Sequence, residues 1–218
     1  MKLVSLICLA VLCLITSVLY AIFADKKGWQ GFFIKGLAMF SISALSLVSV
    51  YFKGLTNAAG VFLSLAFVAF LFCEGASQID DENKKWIATA CSTVATGILL
   101  AGVIALNQFS ILPLGGGLLF GIGLALVVWV FNNEKGALNN IFAIVQLALA
   151  GGIVGVAAIS TISSLHFTTT LLVTVGAGLN LIGLFIKNLN LNSKAANIIA
   201  NLMITVGLAV IASSTYFY

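Results

Sequence analysis

The sequence predicts an all-α polytopic membrane protein that forms a single membrane domain over residues 1–218. Of its residues, 61% are hydrophobic and only 7% are charged, whereas a soluble domain of this size carries about a quarter charged residues. Apolar runs long enough to cross a bilayer recur from one end of the chain to the other. Because these runs are solidly apolar and not alternating, they predict helices and not the strands of a barrel.

Eight spans of roughly 20 residues each can be drawn along the chain. The third is the shortest, so we expect it to extend through Glu74. The first resembles a signal peptide, but it is long for one and Ile22 is unsuited to a cleavage site, so we expect a retained helix. The spans are Leu3–Phe23, Phe32–Phe52, Ala58–Cys73, Trp86–Leu106, Leu112–Phe131, Leu138–Ile159, Phe167–Ile186 and Ala195–Tyr216.

The loops indicate an internal repeat of two four-helix halves, approximately residues 1–109 and 110–218. The segment FADKKG at 23–28 is matched by FNNEKG at 131–136, and NKK at 83–85 is matched by NSK at 192–194. These shifts are close to half the chain length. Because each half holds an even number of spans, the halves would share one orientation and form a parallel repeat.

The lysines predict the orientation in the membrane. Lysines are concentrated in the odd-numbered loops, and only Lys2 and Lys53 lie on the other side. The positive-inside rule therefore places the odd loops in the cytoplasm and both termini outside, most simply in the cell (inner) membrane. The net charge of +4 forms no basic stripe, so we expect no nucleic-acid partner. The odd-loop lysines are Lys26, Lys27, Lys84, Lys85, Lys135, Lys187 and Lys194.

Polar residues recur on single faces of the fourth and eighth spans. Interhelical hydrogen bonding is the favoured interpretation for the threonines, whereas for the asparagines a binding role is equally open, because a long amide is harder to satisfy by chance. In the seventh span, Asn180 lies between Gly176 and Gly183, a pattern typical of close helix packing or of space for a ligand group. The two stripes are Thr89, Thr93 and Thr96, and Asn197, Asn201 and Thr205; the run Gly115–Gly117 with Gly121 and Gly123 also predicts helix packing.

Two charged residues lie at the margins of apolar spans. Glu74 precedes the acidic segment 78–82, and is interpreted either as a helix-end carboxylate at the interface or as a general acid in a low-dielectric pocket. Lys35 lies about one turn into the second span. It either extends to the lipid headgroups or turns inward to pair with Glu74 or a lipid phosphate. His166 is isolated and the cysteines lack CxxC spacing, so we expect neither a metal nor a cofactor.

Three segments carry a resemblance to a known family. Lys35-Gly36 opens the second span, Cys73-Glu74 ends the third, and Gly178-Leu179-Asn180 lies in the seventh. With the eight spans, this layout resembles the lysoplasmalogenase family (YhhN-like membrane proteins related to the transmembrane 86 proteins). In that family the corresponding elements are lysine-proline, Gly-Asp, and Ser-Asp or Ser-Asn. A family histidine in the fourth helix is replaced here by Ala95 or its neighbours.

The resemblance implies a lipid hydrolase that cleaves the vinyl-ether bond of a membrane lysophospholipid. It implies Glu74 as general acid, Asn180 as its water-orienting partner, and Lys35 as a headgroup or phosphate contact. Asn201, from the polar stripe of the eighth span, is a further predicted substrate contact. Because one carboxyl and one amide stand where the family has two acids, the activity could be altered or lost. Two alternatives stay open: a small transporter or lipid-handling protein without hydrolase activity, and a non-catalytic membrane scaffold.

Overall fold

The computed structural model describes residues 2–23, 28–54, 58–77, 85–106, 111–131, 137–163, 166–189, 191 and 193–217. Within these ranges the chain forms eight α-helices and one short 3-10 turn, Thr215–Phe217. All eight helices are long and apolar enough to cross a membrane, which confirms the all-α polytopic prediction. They are α1 (Lys2–Phe23), α2 (Gly28–Lys53), α3 (Ala58–Ala76), α4 (Lys85–Leu106), α5 (Ile111–Phe131), α6 (Ala137–Ser163), α7 (Phe167–Asn188) and α8 (Lys194–Ser214).

The helix bounds agree with the predicted spans to within a few residues. The third helix ends at Ala76 and so includes Glu74, as expected. Several loop residues used for the repeat and the lysine count lie outside the described residues, among them 24–27, 83–84, 132–136 and 192, as does the acidic segment 78–82. The two-halves repeat and the membrane orientation therefore stay predictions.

Seven of the eight helices contact one another in a closed sequence, which we call the ring. Its order is α1, α2, α3, α4, α6, α7, α8 and back to α1, and α2 also contacts α8. Helix α5 lies outside the ring, mainly against α6. Its remaining faces carry exposed apolar side chains, as expected of a helix that faces lipid.

Glycine pairs allow α5 and α6 to approach closely. A Cβ atom on Gly117 would overlap the backbone oxygen of Gly151, and one on Gly121 would overlap that of Leu147. Small residues promote such contacts in membranes, where apolar side chains gain little by leaving lipid. The packing prediction is therefore confirmed for these two glycines. It is wrong for Gly115, Gly116 and Gly123, because a Cβ there would meet nothing within 4 Å.

Helices α7 and α8 form a second glycine contact. A Cβ on Gly176 would lie 2.6 Å from the backbone oxygen of Gly207, and a Cβ on Gly183 would lie 2.8 Å from that of Ala200. The two glycines that flank Asn180 thus serve helix packing. Asn180 lies between them in sequence, but it borders a cavity.

The end of the ring next to the even-numbered loops is filled with buried side chains, and we call it the closed end. Branched apolar residues from five helices meet there with small hydroxyl residues, so that this end is packed as a protein interior. The closed end comprises Leu45, Ser49, Leu63, Val103, Thr170, Val173, Ile211, Ser214 and Thr215.

Candidate functional site

A cavity of about 450 Å³ occupies the other end of the ring, next to the odd-numbered loops, and we call this the cavity end. Every helix except α5 contributes to its lining. The lining residues come mostly from the last turns of α1, α3 and α7 and the first turns of α2, α4, α6 and α8. Ser77 and Lys187 are exposed and mark the mouth, while the buried Leu208 lies deepest along α8.

All four residues that the sequence singled out for a site line this one cavity. Lys35 comes from α2, Glu74 from α3, Asn180 from α7 and Asn201 from α8. The four are distant in sequence, and the ring brings their helices around a shared space. The cavity wall is about equally polar and apolar, with Phe70 among its apolar members. Such a mixed lining suits an amphiphilic ligand.

The carboxyl group of Glu74 is held by two hydroxyl groups. Tyr20 of α1 donates to Oε1 at 2.9 Å, and Ser77 donates to Oε2 at 3.3 Å and to the backbone oxygen of Glu74 at 2.8 Å. Tyr20 is only 5% exposed and lines the cavity. Each carboxylate oxygen can accept a further hydrogen bond from the cavity side. The side chain is therefore oriented and still available to a ligand.

Tyr20 is a site residue that the sequence reasoning did not find. It is the one tyrosine of the first span and lies near the span's end. A tyrosine in that position is normally interpreted as an interfacial anchor. Its polar hydroxyl near the end of a largely apolar helix was the available signal, but its partner is 54 residues away in the chain.

The side chains of Asn180 and Asn201 are buried without a protein partner. They are 5% and 8% exposed, and neither amide makes a hydrogen bond with any of the residues that the structure describes. Neither amide is among the polar atoms that are fully sealed without a partner in the described ranges, so both keep accessible surface. Because both residues line the cavity, their amides are available to a polar group inside it.

The threonine stripe of α4 and the neighbouring amides serve helix association. Thr89 donates to Oδ1 of Asn139 at 2.6 Å, and Thr93 donates to the backbone oxygen of Phe142 at 3.0 Å, so both join α4 to α6. Thr96 donates instead to a carbonyl of its own helix, that of Ser92. Interhelical hydrogen bonding is therefore confirmed for Thr89 and Thr93, although Thr89 also borders the cavity, and it is wrong for Thr96.

The charged residues that line the cavity are Glu74, Lys35 and Lys187, and they lie on three different helices. Lys35 is half-buried and lies on α2, next to the α3 wall that bears Glu74. Lys187 is exposed and lies on α7, which is across the ring from α3. His166 precedes α7 at the closed end and is exposed, so it is remote from the cavity. Within the described ranges no three His, Cys, Asp or Glu residues are grouped to hold a metal ion.

No protein-family model, curated protein or solved structure matches the chain. The resemblance to lysoplasmalogenases therefore stays a prediction. The features that bear on function are the cavity, the oriented carboxyl group and the two unpartnered amides.

Proposed function

We propose that this integral membrane protein is a hydrolase that cleaves the vinyl-ether bond of a lysoplasmalogen, with Glu74 as the general acid. The observation that supports the proposal is the meeting of Glu74, Lys35 and Asn180 in one cavity among membrane-spanning helices. A cavity of about 450 Å³ is large enough for a polar head and a glycerol unit, within the range of small-molecule sites. The apolar part of its wall would receive the first carbons of the alkenyl chain.

The chemistry requires one proton donor and one water molecule. The protonated carboxyl of Glu74 gives its proton to the alkene carbon, which leaves an oxocarbenium ion. Water adds to this ion and returns a proton to the carboxylate of Glu74. The resulting hemiacetal separates into a fatty aldehyde and a glycerophospho-alcohol, so the overall reaction consumes only water.

The neighbours of Glu74 suit this role. Tyr20 binds Oε1 at 2.9 Å, whereas the contact of Ser77 with Oε2 is longer, at 3.3 Å, so we assign the transferable proton to Oε2. The unpartnered amide of Asn180 orients the water molecule. Lys35, beside the Glu74 wall, contacts a hydroxyl group of the substrate's glycerol unit.

The test is aldehyde release by purified protein in detergent micelles. We expect release from a 1-alkenyl lysophospholipid and none from its saturated 1-alkyl counterpart, which has no alkene carbon to protonate. Glu74→Gln keeps the size of the side chain but removes the acid, and should lower the rate by about 10²–10⁴-fold. Absence of aldehyde from the wild type, or full activity in Glu74→Gln, would refute the proposal.

A second candidate function is lipid or solute handling without hydrolysis. The observation that favours it is the pair of unpartnered amides in a cavity that is closed at one end. Carriers place such polar groups between helices, where they bind a substrate in turn from each side. Two results together would favour this function. The wild type would carry a lipid or solute into liposomes and Asn201→Ala would not, and no vinyl-ether lipid would yield aldehyde.

A further inference from the structure

The carboxyl group of Glu74 and the ammonium group of Lys187 belong to different walls of the cavity. Glu74 lies on α3, and Lys187 lies on α7; in the ring, α4 and α6 stand between them on one side, and α2 and α8 on the other. The wall next to Lys187 carries Asn197 and Asn201 of α8. A ligand that fills the cavity therefore meets an acid on one wall and a cation with amides on another.

We infer that Lys187, Asn197 and Asn201 form an anion subsite that holds a phosphate group of the ligand, opposite Glu74. This rests on the proposed function for the identity of the substrate. In a lysoplasmalogen the vinyl ether and the phosphate are attached to opposite ends of the glycerol unit. With the phosphate at α7 and α8, the ether is directed toward α3 and its carboxyl group.

The amides support the inference because they have hydrogen-bond donors to offer. Asn201 is 8% exposed, and neither it nor Asn197 makes a side-chain hydrogen bond within the described part of the chain. The side-chain amide carries two N–H donors, and phosphate oxygens accept several such bonds at once. Both residues line the cavity, so these donors are available to a ligand inside it.

Lys187 is better placed for this role than Lys35. Its ammonium group has no ion pair with a described residue, whereas Lys35 already takes part in another interaction. Lys187 lies at the mouth of the cavity, where a long flexible stem can carry the charge to a headgroup at the membrane surface. Lys35 lies beside the Glu74 wall, at the other end of the bound glycerol unit.

The experiment compares two ligands that resist hydrolysis because they are saturated ethers: 1-alkylglycerol 3-phosphate and 1-alkylglycerol. Binding to the full chain is measured in neutral detergent micelles at fixed ionic strength. We expect the wild type to bind the phosphate-bearing ether at least about tenfold more tightly, the scale of a charge-assisted contact. Lys187→Gln and Asn201→Ala should each remove most of this difference, because the first removes the positive charge and the second removes the amide donors.

Lys194→Gln is the matched control, because Lys194 is an exposed lysine at the same end of the bundle that does not line the cavity. It should retain the preference for phosphate. Equal binding of the two ethers by the wild type, or an equal loss in Lys194→Gln, would overturn the inference. Glycerol 3-phosphate is added as a competitor: competition identifies a subsite that also accepts soluble phosphoesters, and its absence identifies a lipid headgroup subsite.

The binding assay separates this inference from the proposed hydrolysis. If no aldehyde is formed but the phosphate preference depends on Lys187, the anion subsite stands and the hydrolase proposal falls. If aldehyde is released equally well from phosphate-bearing and phosphate-free vinyl ethers, the hydrolase proposal stands and the subsite falls.

Discussion

At the closed end of the ring, Thr170, Ser214 and Thr215 are buried, and each donates its hydroxyl hydrogen to a carbonyl of its own helix. At the cavity end, Asn180 and Asn201 are nearly as buried, but their amides have no such partner among the described residues. Side-chain length alone does not set this difference, because the amide of Asn188 donates to the carbonyl of Leu184 one turn away, and the buried hydroxyl of Ser49 has no partner among the described residues. What distinguishes Asn180 and Asn201 is that their amides border the cavity.

One helix pair, α7 and α8, combines close packing with residues that line the cavity. Helices α7 and α8 approach through Gly176, Gly183 and Gly207, which fixes the wall of the cavity. Asn180 and Asn201 on that wall have no side-chain partner among the described residues, and in our proposal they bind the ligand. Substitutions in closely packed regions should therefore change stability more than function, and substitutions at the cavity end should do the reverse.

The largest effect on stability is expected for Gly121→Val, in the packed contact of α5 with α6. Its side chain would overlap the backbone oxygen of Leu147, and because backbone cannot move aside, the unfolding free energy should fall by about 3 kcal/mol. Gly123→Val is the matched control, since its Cβ position is open. Unfolding by SDS titration in micelles measures both. Equal stability of the two variants would contradict the described contact.

Tyr20→Phe tests the cavity end. Loss of the hydroxyl bound to Glu74 should lower the rate of aldehyde release about tenfold, equivalent to about 1.4 kcal/mol, with little change in stability. Tyr51→Phe is the control. Tyr51 is exposed, lies near the C-terminal end of α2 and does not line the cavity. If both variants lose activity to the same extent, Tyr20 has no special part in positioning Glu74.

Asn201→Leu should change stability and binding in opposite directions. Replacing a partnerless buried amide by an apolar group of similar size should raise the unfolding free energy by about 1 kcal/mol. The same change should abolish the preference for phosphate-bearing ethers. Thermal unfolding in micelles, with and without ligand, measures both effects. A destabilised Asn201→Leu protein would mean that the amide is satisfied within the fold.

The smallest effect is expected for Thr93→Val, which removes a hydrogen bond between α4 and α6 outside the cavity lining. Its cost should be about 0.6 kcal/mol, the average for such bonds in a membrane protein. Thr96→Val should cost less, because Thr96 bonds only to its own helix. SDS titration of both variants beside the wild type shows which one loses more stability. A larger loss in Thr96→Val than in Thr93→Val would contradict the assignment of the interhelical bond to Thr93.

The sequence alone determined the class of protein and the approximate bounds of all eight helices. These are local properties: the length of an apolar run decides whether it can cross a bilayer, and a helix in lipid satisfies its own backbone. The same logic identified Glu74, Asn180 and Asn201, because a polar residue in an apolar span is conspicuous wherever its partners lie.

Only the tertiary structure decided which helices meet. It placed α5 outside the ring, joined Tyr20 to Glu74, and set Lys187 across the cavity from that carboxyl group. It also distinguished Thr89 and Thr93, whose hydroxyls bond to α6, from Asn180 and Asn201, whose amides have no partner among the described residues. Each of these facts depends on side chains from helices distant in sequence. No local pattern of apolar and polar residues specifies such neighbours.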